Sequence, residues 1–262
     1  IKKFDQIQSI DLSEFVISRR HFKPKTLSRI VSGVRLFLQF LTLRGILKKD
    51  FSQDLPVIRV ARDSEIPSVW DRGFIVKLLA AVDRSSAKGK RDYAIILLAS
   101  RMGLRLGDII GLTLDSFNWE AATISITQSK TQVPLCLPLT DEVGEALIDY
   151  LSSGRPDTNY REVFLTLRPP FAPFSKNSHF HHIITYWREV AGIQFRTKQR
   201  HGIHSLRHTL ATQLLENETP FPVIADILGH TSMASTRIYA KADVETLRQV
   251  SLSFEEVNNV CK

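Results

Sequence analysis

The chain has 262 residues, 43% of them hydrophobic, which is enough to bury one large core and a second, smaller one, so one or two globular domains are expected. No apolar run approaches the roughly 20 residues that a membrane-spanning helix needs, which predicts a protein without membrane contact. The formal net charge of +8 favours a polyanionic partner.

The N-terminal quarter of the chain carries most of the excess positive charge. The first 66 residues hold 13 Lys and Arg against 7 Asp and Glu, a net +6, whereas the other 196 hold 22 against 20, a net +2. Apolar residues at helical spacing predict helices over 11–20 and 26–46, followed by a linker that ends over 61–67. We therefore expect a small, basic helical domain over residues 1–60. A basic surface that is merely solvated is the alternative.

A larger, mainly helical domain with one small antiparallel sheet is predicted over residues 68–262. Two strands with alternating or β-branched residues flank a polar turn, which is typical of a hairpin. The second helix of this domain ends at Gly103, a residue suited to a left-handed C-cap. In chain order, the predicted elements are helices over 71–82 and 91–102, strands over 123–127 and 133–139, a helix over 141–151, a short strand over 163–167, and helices over 181–191, 204–216, 221–228, 232–240 and 243–252. The fold class is mainly α, of the α+β type.

The cysteines, the first residues and a histidine cluster bear on compartment and metal binding. Cys136 and Cys261 are isolated and give no disulfide framework, so a reducing cytoplasm is predicted. The first residues lack the apolar core of a secretory signal, and the absence of an initiator Met indicates a fragment. His179, His181 and His182 are more typical of a polar loop and helix start than of a metal site, because no Cys or carboxylate completes a ligand set.

Four short motifs combine residue types that can bind and attack a phosphate. They are Gly103–Asp108 (GLRLGD), Lys130 at the tip of the predicted hairpin, His204–His208 (HSLRH), and Leu228–His230 (LGH) followed by Thr236–Ala240 (TRIYA). Taken singly, Arg105 is explained as a helix-terminus cation, Lys130 as a solvated turn residue and Tyr239 as a half-buried packing residue. Only the conjunction of the motifs favours a catalytic site over these ordinary explanations.

In order and approximate spacing, the motifs resemble the tyrosine recombinases, the integrase family of site-specific DNA recombinases, over residues 67–250. The resemblance implies a core-binding domain and a catalytic domain that together form a C-shaped clamp around duplex DNA. It implies six catalytic residues, which are Arg105, Lys130, His204, Arg207, His230 and Tyr239.

Each of these residues has a chemical role to match. Two guanidinium groups hold the non-bridging phosphate oxygens in a planar, bidentate way, which suits Arg105 and Arg207. The remaining roles follow from the resemblance: Tyr239 is the nucleophile, His204 is the general base, Lys130 protonates the leaving 5′ oxygen, and His230 donates a hydrogen bond to a phosphate oxygen. Asp108 matches an acidic position that supports the site, and His208 is expected to be structural or supporting.

A protein of this kind is expected to cleave and rejoin DNA through a covalent 3′-phosphotyrosine, in the integration or excision of a mobile element. Because that linkage stores the energy of the broken phosphodiester, no cofactor or metal is expected, and the sequence has no Walker-type loop. The implied partners are double-stranded DNA, in the cytoplasmic nucleoid, and further copies of the chain in a homotetramer on two duplexes. A C-terminal helix over 243–257 docks on a neighbouring subunit or packs within its own.

Three alternative functions stay open at this point. A chromosome-dimer resolving recombinase of the same family shares every motif. A nicking-closing topoisomerase shares the chemistry and relaxes DNA as a monomer. A DNA-binding protein with this fold but without catalysis is disfavoured, because the six-residue set is intact.

Overall fold

The structure, a computed structural model, describes residues 6–60, 68–175, 181–195, 201–230 and 236. The chain divides into two compact units, residues 1–65 and 66–262, which we call the N-terminal and C-terminal units. The division falls inside the segment predicted as a linker. The helices predicted over 232–240 and 243–252 lie outside the described residues, apart from residue 236, and so does Tyr239.

Two helices and a 3₁₀ turn build the described part of the N-terminal unit: α1 (Ser9–Ser18), α2 (Pro24–Leu43) and the turn Ser52–Asp54. Pro24 begins α2, since its fixed φ suits the first helical turn and its missing N–H costs no bond there. Apolar side chains meet in a small core formed by Leu12, Val16, Val31, Leu38, Leu41, Leu47 and Leu55. Both predicted helices are confirmed, each beginning two residues earlier than the pattern indicated.

Helix α2 is long and apolar enough to cross a membrane by length and composition, with a mean hydropathy of 1.2. The prediction that no such segment exists was wrong, because Arg29 and Arg35 hid the apolar run. In the structure, Arg35 donates from Nη2 to Leu55 O at 3.0 Å and from Nε to Ser52 O at 3.2 Å. One side of α2 thus packs on its own unit, as an amphipathic helix does.

The described part of the C-terminal unit is mainly helical, with a three-stranded antiparallel sheet in the order β1-β2-β3. Its elements are α3 (Arg72–Ala80), α4 (Ala87–Ser100), α5 (Leu106–Ile110), β1 (Phe117–Asn118), β2 (Thr123–Thr127), β3 (Pro134–Pro138), α6 (Asp141–Ser153), α7 (His181–Val190), α8 (Ile203–Glu216) and α9 (Phe221–Leu228). Helix α4 is the centre of the core, because residues 94–99 are fully buried and α4 packs on both α6 and α8. The predicted mainly α fold with a small sheet is confirmed.

The predicted hairpin forms two of the three strands. β2 and β3 pair with Ser125 opposite Cys136, and β1 adds to β2 with Phe117 opposite Ile124. Gln132 adopts φ +57° in the turn between β2 and β3. β1 was not predicted, because two residues are too short to show an alternating pattern.

The short strand predicted over 163–167 is wrong. Leu165 forms an isolated bridge with Pro173, and the preceding Glu162 forms another with Thr113, so no ladder develops. Pro173 has no N–H with which to extend a ladder. The apolar run reflects burial instead, since Val163 and Phe164 are fully buried in the core.

Trp70 anchors helix α8 to the start of the C-terminal unit. Its indole Nε1 donates to Ser205 Oγ at 2.6 Å, and its backbone N donates to Thr209 Oγ1 at 2.8 Å. The ring is buried and meets Phe195 edge to face, with centroids 4.9 Å apart. Because α8 carries the whole HSLRH motif, this contact fixes the backbone from which the side chains of the motif extend.

Candidate active site

A glycine turn after α4 places Arg105 at the start of α5. Gly103 adopts φ +63°, and a Cβ there would lie 2.9 Å from Leu228 Cδ2, so conformation and surroundings both require glycine. Gly103 has the predicted left-handed conformation, although α4 already ends at Ser100 and its C-cap residue is Arg101. Arg105 follows as the extended N-cap residue of α5, and its Nη2 donates to Gly229 O at 3.4 Å.

Arg207, on the second turn of α8, joins two distant turns of the chain. Its side chain is buried, with 5% of the residue exposed. Nη1 donates to Gly103 O at 2.5 Å, and Nη2 donates to Leu228 O at 2.6 Å. A guanidinium has five N–H donors in one plane, so it can hold both carbonyls and contact a phosphate. Arg207 therefore brings the turn before Arg105 next to the turn that follows α9.

The turn after α9 presents His230. Gly229 adopts φ +57° and ends the helix with a Schellman arrangement, in which His230 N donates to Ala225 O at 2.9 Å. The His230 ring then lies with Nδ1 2.9 Å from Thr236 Oγ1. This bond orients the imidazole, whichever of the two atoms donates.

Two buried side chains hold the hairpin that carries Lys130. Asp108 Oδ1 accepts from both the backbone N and the Oγ of Ser129, each at 2.8 Å. Gln128 is fully buried, and its Nε2 donates to Leu228 O at 3.2 Å. Lys130 itself is exposed at the turn. Asp108 therefore supports the hairpin next to Lys130, as its acidic position in the motif suggested.

Helix α8 presents two histidines on neighbouring turns. His204 is exposed, whereas His208 is partly buried one turn further on. Burial, followed by the positive charges of His204 and Arg207, lowers the pKa of His208 to about 4. His208 is therefore uncharged at neutral pH, which fits a supporting role beside cationic residues.

Positive charges from several motifs act on His230. Burial is the largest cause that lowers its pKa, to about 4, followed by the charges of Arg207 and Arg105 and, more weakly, of His208 and Lys130. The cations belong to three separate motifs. A group of positive charges around a neutral imidazole is suited to an anion such as a phosphodiester, which would offset their mutual repulsion.

The structure thus brings together Arg105, Arg207 and His230 by direct contact with shared turns. The charge of Lys130 acts on His230, and that of His204 acts on His208. Tyr239 lies outside the described residues. Among the described residues, no group of three or more His, Cys, Asp or Glu is placed to hold a metal ion. Sequence reasoning missed Gln128, because a polar residue in a turn is expected to face solvent.

Residues 72–246 match the phage integrase family. The chain belongs to this family. It is 39% identical over 188 residues to the putative integrase/recombinase y4gC of Sinorhizobium fredii, covering 71% of this chain and 95% of the relative. The putative integrase/recombinase y4rA of the same organism is 33% identical over 250 residues, or 94% of this chain, which spans only 59% of that relative's length. Tyrosine recombinase XerD of Lacticaseibacillus casei is 28% identical over 220 residues, covering 82% of this chain and 72% of the relative.

Solved structures confirm the fold. The XerH site-specific recombinase bound to difH substrate in a pre-cleavage complex superposes with a TM-score of 0.71 at 17% identity, covering 90% of this chain and 68% of that one. A lambda integrase (75–356) dimer bound to a COC′ core site gives a TM-score of 0.68 at 16% identity, covering 91% and 81%. The C-terminal unit therefore has the tyrosine recombinase fold, whose family members cleave and rejoin DNA strands.

Proposed function

We propose that this protein is a site-specific recombinase that cleaves and rejoins DNA through a 3′-phosphotyrosine formed by Tyr239. The observation that carries the proposal is the arrangement around the turn after α9. Arg105 donates to Gly229 O, Arg207 donates to Leu228 O, and His230 follows on the same turn. Three phosphate-binding side chains from separate motifs thus share one short piece of backbone.

The two arginines would bind the non-bridging oxygens of the scissile phosphate. Negative charge spreads over these oxygens in the transition state, and preorganised donors stabilise it without reorganisation. The carbonyls of Gly103 and Leu228 hold the guanidinium of Arg207 before DNA arrives. His230, uncharged at neutral pH, would donate one N–H to a phosphate oxygen without adding a further positive charge.

The cleavage step needs two proton transfers. As Tyr239 Oη bonds to phosphorus, its proton passes to His204, since a phenol with a pKa near 10 is mostly protonated at neutral pH. The bond from phosphorus to the 5′ oxygen breaks, and Lys130 Nζ supplies the proton that this oxygen takes up. The DNA 3′ phosphate is then joined to Tyr239, and a free 5′ hydroxyl remains.

Rejoining is the reverse reaction. A 5′ hydroxyl attacks the phosphotyrosine, Lys130 accepts its proton, and His204 returns a proton to the departing Tyr239 oxygen. The phosphotyrosine conserves the energy of the original phosphodiester, so the exchange is near balance. Attack by the 5′ hydroxyl of a different strand gives recombination, and attack by the original one restores the DNA.

The partners follow from this chemistry and from charge. Duplex DNA is the substrate. We assign the binding of this duplex to the basic N-terminal unit, as the core-binding domain over residues 1–60. A homotetramer on two duplexes, joined through the C-terminal helix, would allow exchange between sites. A mobile element is the proposed setting; the Tn1549 transposon integrase, in complex with a circular intermediate DNA, shares the fold with a TM-score of 0.65 at 16% identity.

The test of the proposal is covalent trapping. A duplex library of DNA flanking the gene is nicked at successive positions, so that the short fragment bearing the free 5′ hydroxyl diffuses away after cleavage; this traps protein on DNA and maps the site. We expect a denaturant-resistant adduct that Tyr239→Phe abolishes. Tyr160→Phe, which removes the hydroxyl of an exposed tyrosine in the same unit, is the matched control and should keep the adduct. An adduct formed by Tyr239→Phe would refute the assignment of the nucleophile.

A further inference from the structure

The buried amide of Gln128 links the hairpin to the catalytic turn. Gln128 immediately follows β2 and is 0% exposed. Its Nε2 donates to Leu228 O at 3.2 Å, and its Oε1 accepts from Thr131 Oγ1 at 2.7 Å. The amide is therefore satisfied on both sides, by one group from the hairpin itself and one from the turn after α9. Lys130 lies between the two hairpin residues that this network joins.

The link reaches the turn at the carbonyl that also holds Arg207. Leu228 O accepts from Arg207 Nη2 at 2.6 Å as well as from Gln128. The next residue, Gly229, has no side chain, and a Cβ there would overlap the Gln128 amide. The side chain of Gln128 thus occupies the space that glycine leaves beside His230. A shift of the hairpin and a shift of this turn are coupled through one carbonyl.

We propose that Gln128 is a positioning residue that sets where the Lys130 ammonium meets the leaving 5′ oxygen, by fixing the base of the hairpin to the carbonyl that orients Arg207. This inference rests on the proposed function, since it assigns Gln128 a part in that reaction. Gln128 acts through Lys130 and does not itself touch the phosphate.

A sulfur leaving group separates this role from a merely structural one. Replacement of the scissile 5′ oxygen by sulfur gives a thiolate leaving group, and a thiol with a pKa near 8.5 departs without the proton that an alcohol requires. A defect in proton delivery is therefore rescued on the sulfur duplex. A defect in the fold or in phosphate binding slows cleavage of the oxygen and sulfur duplexes alike.

The experiment measures single-turnover cleavage of the mapped duplex in both forms by wild type, Lys130→Ala, Gln128→Met and Gln132→Met. We expect Lys130→Ala to lose about 10²- to 10⁴-fold on oxygen, the usual contribution of a general acid, and to recover on sulfur. Gln128→Met keeps the length of the side chain but loses the donor to Leu228 O. It should lose about 10- to 100-fold on oxygen, as a mispositioned group does, and recover to within about threefold on sulfur.

Gln132→Met is the matched control, because it makes the same chemical change at an exposed position of the same hairpin and removes only a local bond to Ser129 O at 3.0 Å. Its cleavage rates should stay within about twofold of wild type. If Gln128→Met folds poorly, Thr131→Val tests the same network with the amide in place, because it removes only the donor to Oε1. A smaller loss with the same sulfur rescue is expected.

The outcomes distinguish the two proposals. An equal loss by Gln128→Met on both duplexes, with Lys130→Ala rescued, overturns the inference about Gln128 and leaves the proposed function standing. If Lys130→Ala is not rescued, Lys130 is not the acid, and the inference about Gln128 falls while the Tyr239 adduct still supports strand cleavage. If wild type cleaves neither duplex, the proposed function and the inference fail together.

Discussion

Arg207 illustrates how much a single side chain does at this site. It is buried, and its two terminal nitrogens donate to carbonyls that are 125 residues apart in sequence, Gly103 O and Leu228 O. Lysine has one ammonium on a flexible stem and cannot hold both carbonyls in the same plane as a phosphate. The position therefore requires a guanidinium for structure, in addition to the phosphate binding that we propose for it.

We predict that Arg207→Lys lowers the rate of strand cleavage by about 10²- to 10³-fold, the loss expected for one preorganised oxyanion donor. It should also destabilise the protein by about 1–3 kcal/mol, because a buried carbonyl loses its donor. Arg101→Lys, the same change at an exposed arginine paired with Glu142 at 2.9 Å, should stay within about 0.5 kcal/mol of wild type. Single-turnover cleavage and denaturant unfolding check both values. A lysine variant with wild-type cleavage would contradict the assigned role.

The depressed pKa of His208 predicts a pH-dependent stability. The pKa is near 6.5 in the unfolded chain and about 4 in the folded protein, so below pH 6.5 the unfolded state binds more protons. Stability from this group is complete above pH 6.5 and is lost as pH falls toward 4. At pH 5 the loss is about 1–2 kcal/mol, or roughly 2–8 °C in Tm.

Thermal melts of wild type and His208→Gln at pH 7 and pH 5 measure this loss. We expect a smaller fall in Tm for His208→Gln, since glutamine does not titrate. His21→Gln, at an exposed histidine of the N-terminal unit, should keep the wild-type fall. Identical pH dependence in wild type and His208→Gln would show that the pKa of His208 is not lowered in the folded protein.

At the scale of elements, the site depends on glycine turns that bring helices close together. Gly103→Ala introduces both a left-handed alanine and a Cβ 2.9 Å from Leu228 Cδ2. We predict a destabilisation of about 2–4 kcal/mol, the sum of backbone strain and overpacking. Gly192→Ala adds the same strain at φ +61° with no atom within 4 Å of the new Cβ, and should cost only about 1–2 kcal/mol. Unfolding by urea measures both, and equal losses would mean that contact with Leu228 is unimportant.

The elements that sequence predicts well are those with local signals. Periodicity placed the hairpin and the longer described helices within a few residues, and Gly103 indicated a left-handed turn. The five-residue helix α5 was not predicted, because it is too short to show a period. The strand over 163–167 failed, because an apolar run records burial without saying whether partners form a ladder. The histidine, arginine and lysine residues of the candidate site were predicted from motif order, which is a one-dimensional signal.

What sequence did not predict is the set of long-range partners. The Leu228 carbonyl accepts hydrogen bonds from Arg207 and Gln128. Every residue has a backbone carbonyl, so the sequence does not indicate which one will accept such bonds. Asp92 is fully buried and accepts from Trp187 Nε1 at 2.9 Å, across 95 residues of sequence. Such contacts depend on how α4, α7, α8 and α9 pack, and that packing follows from the whole core rather than from any local pattern.

At the scale of the whole molecule, the uneven charge predicts that the two units contribute differently to DNA binding. Lys23, Lys25 and Arg29 are exposed at the start of α2, whose first turn has no acidic residue. Positive charge at a helix N-terminus opposes the helix dipole, so a cation such as Lys23 is better placed to meet a DNA phosphate than to stabilise α2. Their position is therefore better explained by DNA binding than by helix stability.

We predict that replacing Lys23, Lys25 and Arg29 by Gln lowers the magnitude of the slope of log Kd against log salt concentration by about one for each lost phosphate contact, up to about three. The control replaces Arg72, Lys77 and Arg84, all exposed in the C-terminal unit, by Gln. Both triple variants lose the same net charge, so a difference between their slopes reports where DNA lies and not how positive the protein is. Fluorescence anisotropy on a mapped duplex at several salt concentrations measures the slopes. Equal slopes would contradict the proposal that the N-terminal unit binds DNA through these three cations. Their loss would then remove no more phosphate contacts than the control does.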